Sequence, residues 1–340
     1  MNALVFDGDD DYEVRDVPEP ELEAPTDAIL EVRCAVSSGT DKHLFDDPAV
    51  EEGRILGPEF VGVVHEAGEA VTGVEAGDRV VPATMTHCGD CFYCERGEWA
   101  NCTDGGWELG YTRDGGRAEY ARIRYADENL FHVPDGLSDE EAVLAGSSLP
   151  TGWDGARRGD IDPGDTVAIV GAGAIGLCTL ACADLYGPLE VVVTDLLDAR
   201  LELADRMGAD GTVDASETDP LEALRELNDG HGPDVVVEAG GFEETYELAL
   251  RAVRPGGTVS VIAYHDDTYG TPFGDVWSKN LTVEWGYVDG IDVPKALSLV
   301  DAGRLDLDPV LGERVALTDI EGFDRLESPE NPKVVIDTQR

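Results

Sequence analysis

PGDTVAIVGAGAIGLCTLACADLYG, residues 163–187, carries a short β-branched run straight into a glycine turn and then into a segment of helical periodicity. Strand, turn and helix in that order satisfy the context a dinucleotide-binding turn requires. Gly171, Gly173 and Gly176 fill GxGxxG. The first permits the tight turn, the second lets a pyrophosphate approach the backbone, and the third allows close helix–strand packing. Ala174 and Ile175 complete the cofactor-facing turn, and the free amides of the helix start face the phosphates. A lone GxGxxG is often only a glycine-rich turn. Here a second strand, Glu190–Thr194, ends at Asp195, 19 residues after Gly176, where a carboxylate can accept hydrogen bonds from the adenosine ribose hydroxyls.

Outward from this stretch, strand patterns at Gly211–Val213, Asp234–Glu238, Thr258–Ala263 and Leu281–Trp285 alternate with helical ones at Leu196–Met207, Pro220–Asn228 and Glu243–Val253. The alternation predicts an α/β fold with a doubly wound parallel sheet over 150–286. Residues 1–149 look different, being glycine-rich with short alternating runs at Ile29–Cys34, Phe60–Val64 and Arg79–Pro82, and they predict a β-rich partner domain. The remainder, 287–340, contains a short strand pattern at Pro332–Asp337 and is expected to return to that first domain. Internal repeats and low-complexity linkers are not evident.

Cys88, Cys91, Cys94 and Cys102 lie in THCGDCFYCERGEWANC with spacing C-x2-C-x2-C-x7-C. Four thiolates on one turn-rich loop can surround one zinc tetrahedrally, and a closed shell of sulfur leaves no open position for chemistry, so the site is expected to be structural. Two local disulfides are the alternative, but cysteines so close in sequence rarely reach disulfide geometry, and the chain shows no secretory signature. Cys34, Cys178 and Cys182 read as buried small hydrophobes.

With 72 acidic residues against 24 basic ones, the formal charge is −48, and only Lys42, Lys279, Lys295 and Lys333 are lysines. Nucleic acid and anionic membranes are poor partners for such a surface. The acidic residues recur along the whole chain, as at Asp7–Glu13, Glu19–Glu23 and Asp135–Glu141, rather than gathering in a tail. Molar salt shrinks the Debye length to ~3 Å and removes most of the self-repulsion. The composition therefore suggests a salt-adapted protein of a saline cytoplasm. The start, MNALVFDGDDDYEV, has no basic n-region, and no apolar stretch of ~20 residues follows, so a cytoplasmic location is expected.

GTDKH (39–43), GPEFVGVV (57–64), AGDRVV (76–81), the cysteine lobe, DGGRAEYARI (114–123), LPTGW (149–153), GAGAIG (171–176) and VRPGGTV (253–259) together resemble the zinc-containing medium-chain dehydrogenase/reductase family, the alcohol dehydrogenases among them. The likeness covers nearly the whole chain. It implies a Rossmann domain binding NAD(P), a GroES-like catalytic domain carrying the structural zinc lobe, and a homodimer or homotetramer acting on a small alcohol or carbonyl substrate. That family's catalytic zinc is held by a Cys just before GTD, a His inside GHE, and a Cys or carboxylate two residues before the LPTG-like segment. Here those positions are Ser38, Pro58 and Ser147. A serine hydroxyl is a poor zinc ligand at neutral pH and a proline side chain offers no lone pair.

By the same resemblance, Thr40 holds the hydroxyl position that touches the reacting oxygen, and His43 is the histidine that passes the proton to solvent, a group suited to titrate near neutrality. Structural hydrogen bonding is the competing role for both. Asp41 is expected to hold the loop, and Glu59 is the surviving carboxylate for an alternative metal contact. Thr151 is carried over as a nicotinamide neighbour and Arg200 as an adenosine-side contact. Arg200 raises the question of NADP, which Asp195 opposes by charge. His65 is expected at the surface, and Trp99, Trp107 and Trp153 either line a cleft or pack in the core. Three functions stay open. One is an NAD(P)-dependent alcohol/aldehyde or ketone oxidoreductase without the usual catalytic zinc ligands, another is a zinc-independent reductase of activated carbonyls or alkenes, and the third is a catalytically emptied NAD-binding protein.

Overall fold

The computed structural model describes residues 1–8, 11–39, 41, 44, 47–265, 267–321 and 332–340, leaving aside the side chain of Ile291. They form two compact units. One comprises Met1–Pro150, Val288–Arg304 and Leu311–Arg340, the other Thr151–Tyr287 and Leu305–Val310.

The second unit is built on six parallel strands, Thr166–Val170, Glu190–Asp195, Gly211–Asp214, Val235–Glu238, Thr258–Val261 and Thr282–Trp285. Across the sheet they follow the order third, second, first, fourth, fifth, sixth. Each lies within two residues of its predicted segment. Thr166–Val170 is buried at every position, which is why it reads as a continuous β-branched run and not as an alternating one. The helix Ala174–Ala183 is likewise apolar almost all round, with Leu177, Cys178, Leu180 and Cys182 all buried.

Further helices cover Asp198–Arg206, Pro220–Gly230 and Glu243–Ala252. The predicted helix to Asn228 is broken before its end: Leu227 is extended at ψ 159° and Asn228 and Asp229 adopt left-handed φ of 53° and 54°. Asn and Asp tolerate that conformation, and the Asn228 amide is held by Gly232 O and Asp234 Oδ2, each at 3.3 Å.

The first unit is organised around a seven-stranded sheet. Its path runs Leu311–Ala316, Lys333–Asp337, Ala28–Val36, Phe60–Ala67, Arg79–Pro82 and Leu130–His132, and Tyr120–Ile123 also pairs with Ala28–Val36. Lys333–Asp337 lies antiparallel to Ala28–Val36, with Val335 opposite Val36 and Asp337 opposite Cys34. Leu30, Phe60, Val64, Val80, Ile123 and Ile336 share the core. Leu305–Val310 belongs to the second unit, an excursion that periodicity does not announce; Leu305, Leu307 and Val310 are buried there. Among the described residues no helix is long and apolar enough to cross a membrane.

Candidate cofactor, metal and reaction sites

At the carboxyl end of Thr166–Val170 the three glycines of the turn do different things. Gly171 takes φ +100°, and a Cβ there would lie 3.0 Å from the Ala239 carbonyl carbon and the Gly240 nitrogen. A Cβ on Gly176 would fall 1.8 Å from Gly171 O, so only glycine lets the helix sit this close to the strand end. Gly173 meets nothing within 4 Å. It is the N-cap of Ala174–Ala183 and offers no side-chain cap, leaving the first amides of the helix open to an anion. Asp195 closes the other side. Its Oδ2 accepts from Ala172 N at 2.7 Å and its Oδ1 from Leu197 N at 3.0 Å, with Arg200 Nη1 3.8 Å away. The carboxylate thus ties the glycine turn to the end of the neighbouring strand. Its remaining acceptor capacity suits a pair of hydroxyls.

The four cysteines converge. Sγ–Sγ separations are 3.5 Å for Cys91–Cys94 and Cys88–Cys102, and 3.9 Å for Cys88–Cys94 and Cys91–Cys102. Thiolates ~2.3 Å from a tetrahedral zinc stand about 3.8 Å apart, so the geometry fits that ion. All seven cysteines are free thiols, which overturns the two-disulfide alternative. Main-chain amides of Cys88 and Asp104 donate to Cys102 Sγ at 3.3 and 3.4 Å. The amides of Cys94 and Thr103 hold the Cys91 thiol down to about 5, whereas burial pushes Cys88 up to about 12 and raises Cys94, so those two thiolates need the charge of the metal itself. The lobe is also packed: Trp99 stacks on His87 with ring centroids 4.6 Å apart, and its indole donates to Cys94 O at 3.2 Å. Cys34, Cys178 and Cys182 are buried, the last two completely.

A third cluster gathers in the first unit around Glu59, which is 2% exposed. Its Oε1 accepts from Ser148 N at 2.7 Å, and its Oε2 from Ser148 Oγ at 3.1 Å and from Lys333 Nζ at 2.7 Å. Next to it, Val36 N donates to Glu59 O, Ser37 N to Val334 O, and Val334 N to Ser37 Oγ. Ser38, Pro58 and Ser147 are therefore each one residue from this knot, beside Ser37, Glu59 and Ser148. Both oxygens of Glu59 are engaged, and a metal contact through it would compete with the charge of Lys333 on Oε2.

Asp41 holds its loop, as expected. Its Oδ2 accepts from Ser38 N at 3.3 Å and from Arg117 Nη2 at 2.7 Å. The fully buried Arg117 also donates to Val36 O and, at 3.1 Å, to the Tyr12 hydroxyl. Burial, and after it the charge of Asp41, pushes the Tyr12 phenol well above its ordinary range. Thr40 and His43 lie outside the described residues.

Thr151 sits half-buried on the helix Ser148–Arg158. His65 is exposed, edge-on to Tyr120. Trp107 packs against the first unit's core, and Trp153 donates to the Tyr186 hydroxyl at 3.0 Å. Sequence reasoning passed over Lys333, Ser148 and Arg117, the partners of the buried carboxylates. It also passed over Glu238, the last residue of its strand, and His265, in the segment after Thr258–Val261. The signal for Lys333 was a lysine at the head of the apolar run Val334–Ile336.

Two family models match the chain: the alcohol dehydrogenase GroES-like domain over residues 24–135 and the zinc-binding dehydrogenase over 174–302. An alcohol dehydrogenase of Cupriavidus necator is 31% identical over 344 residues, covering 94% of this chain and 93% of its own. Among solved structures, alcohol dehydrogenase TADH from Thermus sp. ATN1 is 33% identical with a TM-score of 0.90, covering 99% of both chains. Zinc-dependent alcohol dehydrogenase 2 from Streptococcus pneumonia, in its apo form, is 32% identical with a TM-score of 0.93 and covers 100% of this chain and 99% of its own.

Proposed function

The chain belongs to the zinc-containing medium-chain dehydrogenase/reductase family and is an NAD(P)-dependent oxidoreductase of the alcohol dehydrogenase type; on that premise we propose that it moves a hydride between NAD and a small alcohol and its aldehyde or ketone, from a corner that lacks the usual catalytic zinc ligands. The observation that carries the reading is the set Ser38, Pro58 and Ser147. None offers a good zinc donor. NAD, when bound, supplies the hydride acceptor. Gly171, Gly173, Ala174, Ile175 and Gly176 would receive its pyrophosphate, Asp195 its adenosine ribose, Thr151 its nicotinamide side and Arg200 its adenosine side. Asp195 would repel a 2′-phosphate, so NAD leads over NADP. Thr40 and His43 are proposed as the hydroxyl relay, and the four cysteines as the seat of one structural zinc.

Lewis-acid polarisation of a carbonyl contributes several kcal/mol to the transition state, of which hydroxyl donors recover only part. Slow turnover of simple alcohols is expected for that reason. The engagement of Glu59 by Lys333 and Ser148 also supports a second reading, a zinc-independent reductase of conjugated carbonyls or alkenes, whose substrates need less polarisation. Self-association is proposed as well. It is supported by the edge strand Thr282–Trp285, whose Trp285 is exposed.

The test is a metal count taken with a hydride-transfer assay on alcohols, ketones and enones. One zinc per chain is expected, with faster turnover of enones than of alcohols distinguishing the second reading. The variant combining Ser38→Cys, Pro58→His and Ser147→Asp should bind a second zinc and gain alcohol turnover by orders of magnitude. Two zincs in the unaltered protein would overturn the proposal. NAD binding without turnover of any of these substrates would leave a catalytically emptied NAD-binding protein.

A further inference from the structure

Sheet order in the second unit reverses between Thr166–Val170 and Val235–Glu238, and ligands of doubly wound sheets lie outside the carboxyl ends of the strands at such a reversal. Asp195 and the glycine turn account for one side of that point. The other side begins at Glu238, the last residue of its strand, which is fully buried. Its Oε1 accepts from Gly240 N and Gly241 N, each at 2.8 Å, and from Thr245 Oγ1 at 2.7 Å. Its Oε2 faces His265 Nε2 at 2.9 Å. His265 follows the next strand of the sheet, Thr258–Val261, and its ring is flanked edge-on by Tyr246 and Tyr269.

A fully buried carboxylate is costly unless every lone pair is used. This one uses both oxygens to hold two main-chain segments, one after each of two adjacent strands. One of those segments also backs the glycine turn directly, since the Ala239–Gly240 peptide lies where a Cβ on Gly171 would reach it at 3.0 Å. On the side away from Asp195 the Glu238–His265 pair thus links the two segments, with Thr245 Oγ1 adding a further donor to Glu238.

We propose that Glu238 and His265 are a positioning pair for the nicotinamide half of the dinucleotide, fixing the main chain at 239–241 and at 264–265 so that this half is received in one orientation. The proposal rests on the dinucleotide-binding reading of this unit. Neither residue is offered as touching the reacting atoms. The pair acts through the backbone it holds.

The test compares two probes on the intact protein, NADH and 5′-AMP, the latter engaging only the adenosine side with Asp195. Glu238→Gln keeps shape but gives up one carboxylate oxygen, and His265→Phe keeps an aromatic ring while removing the nitrogen that meets Glu238. Each should weaken NADH binding by about tenfold, the factor that corresponds to ~1.4 kcal/mol, with AMP affinity within about twofold of the parent. The KM for NAD should rise by more than kcat falls. The double variant should lose little beyond either single one, since both remove the same contact. His265→Gln, whose terminal amide reaches as far as the imidazole Nε2 and can donate to the carboxylate, should recover part of the NADH affinity lost in His265→Phe. Equal weakening of NADH and AMP would mean general loosening of the unit and would overturn the proposal, as would unaltered NADH affinity in both single variants. Failure of the unaltered protein to bind either probe would instead strike the dinucleotide reading itself.

Discussion

Replacing Lys333 by Met tests whether the buried Glu59–Lys333 pair anchors the first unit. The two groups are 2.7 Å apart, with side-chain exposures of 2% for Glu59 and 5% for Lys333. At an effective dielectric of ~20 their gross attraction is about 6 kcal/mol. Desolvation of both ions offsets much of that, yet removing one partner leaves the other charge buried, which typically costs 3–5 kcal/mol. In Lys333→Met the Glu59 carboxylate keeps two donors from Ser148, which argues for the lower end, ~3 kcal/mol. Glu59→Gln together with Lys333→Met removes the orphaned charge and should recover most of the loss. The double-mutant cycle is read by urea denaturation followed through tryptophan fluorescence, Trp107 being packed on this unit's core. Because the pair is buried, its cost should be the same in dilute and in molar potassium chloride, where exposed ion pairs are screened. A single-variant cost under about 1 kcal/mol, the range of an exposed pair, would refute the reasoning. So would a cost that disappears in salt.

Asp195→Gly should shift the NAD/NADP ratio of kcat/KM toward NADP by about tenfold or more, equivalent to ~1.4 kcal/mol, and should weaken NAD binding because the Ala172 and Leu197 amides lose their shared acceptor; an unaltered ratio contradicts the assignment. Cys94→Ser, at a buried position of the four-sulfur cluster, should abolish zinc retention and lower the melting temperature, since the metal contributes folding energy outright. Full zinc content and an unchanged transition would count against it. With 72 acidic and 24 basic residues, the melting temperature should climb between low and molar potassium chloride as self-repulsion is screened; a monotonic fall would reverse the salt-adaptation reading.

Periodicity and glycine placement made the second unit readable, since its four central strands are short buried runs, all six are bounded by turn residues, and each local preference agrees with the global fold. The cysteine lobe was readable for a related reason: its partners lie within 14 residues of one another. The Glu59 corner was not, because its hydrogen bond to Lys333 joins positions 274 residues apart, and no local pattern encodes where two distant strands meet. What the sequence does contain is a constraint. A carboxylate that follows Gly57-Pro58 and immediately precedes the buried first half of the strand Phe60–Ala67 needs a donor or a cation. The chain has only four lysines, and of these Lys333 alone stands at the head of an apolar run, KVVID. An ammonium placed where its strand must be buried is as costly as the carboxylate, and each cost is reduced by the other, with Ser148 adding two donors to the carboxylate. Buried charges of opposite sign in distant segments are therefore a pairing signal in their own right, and one that extends to Asp41 and Arg117, two buried residues outside the strands, which meet 76 positions apart.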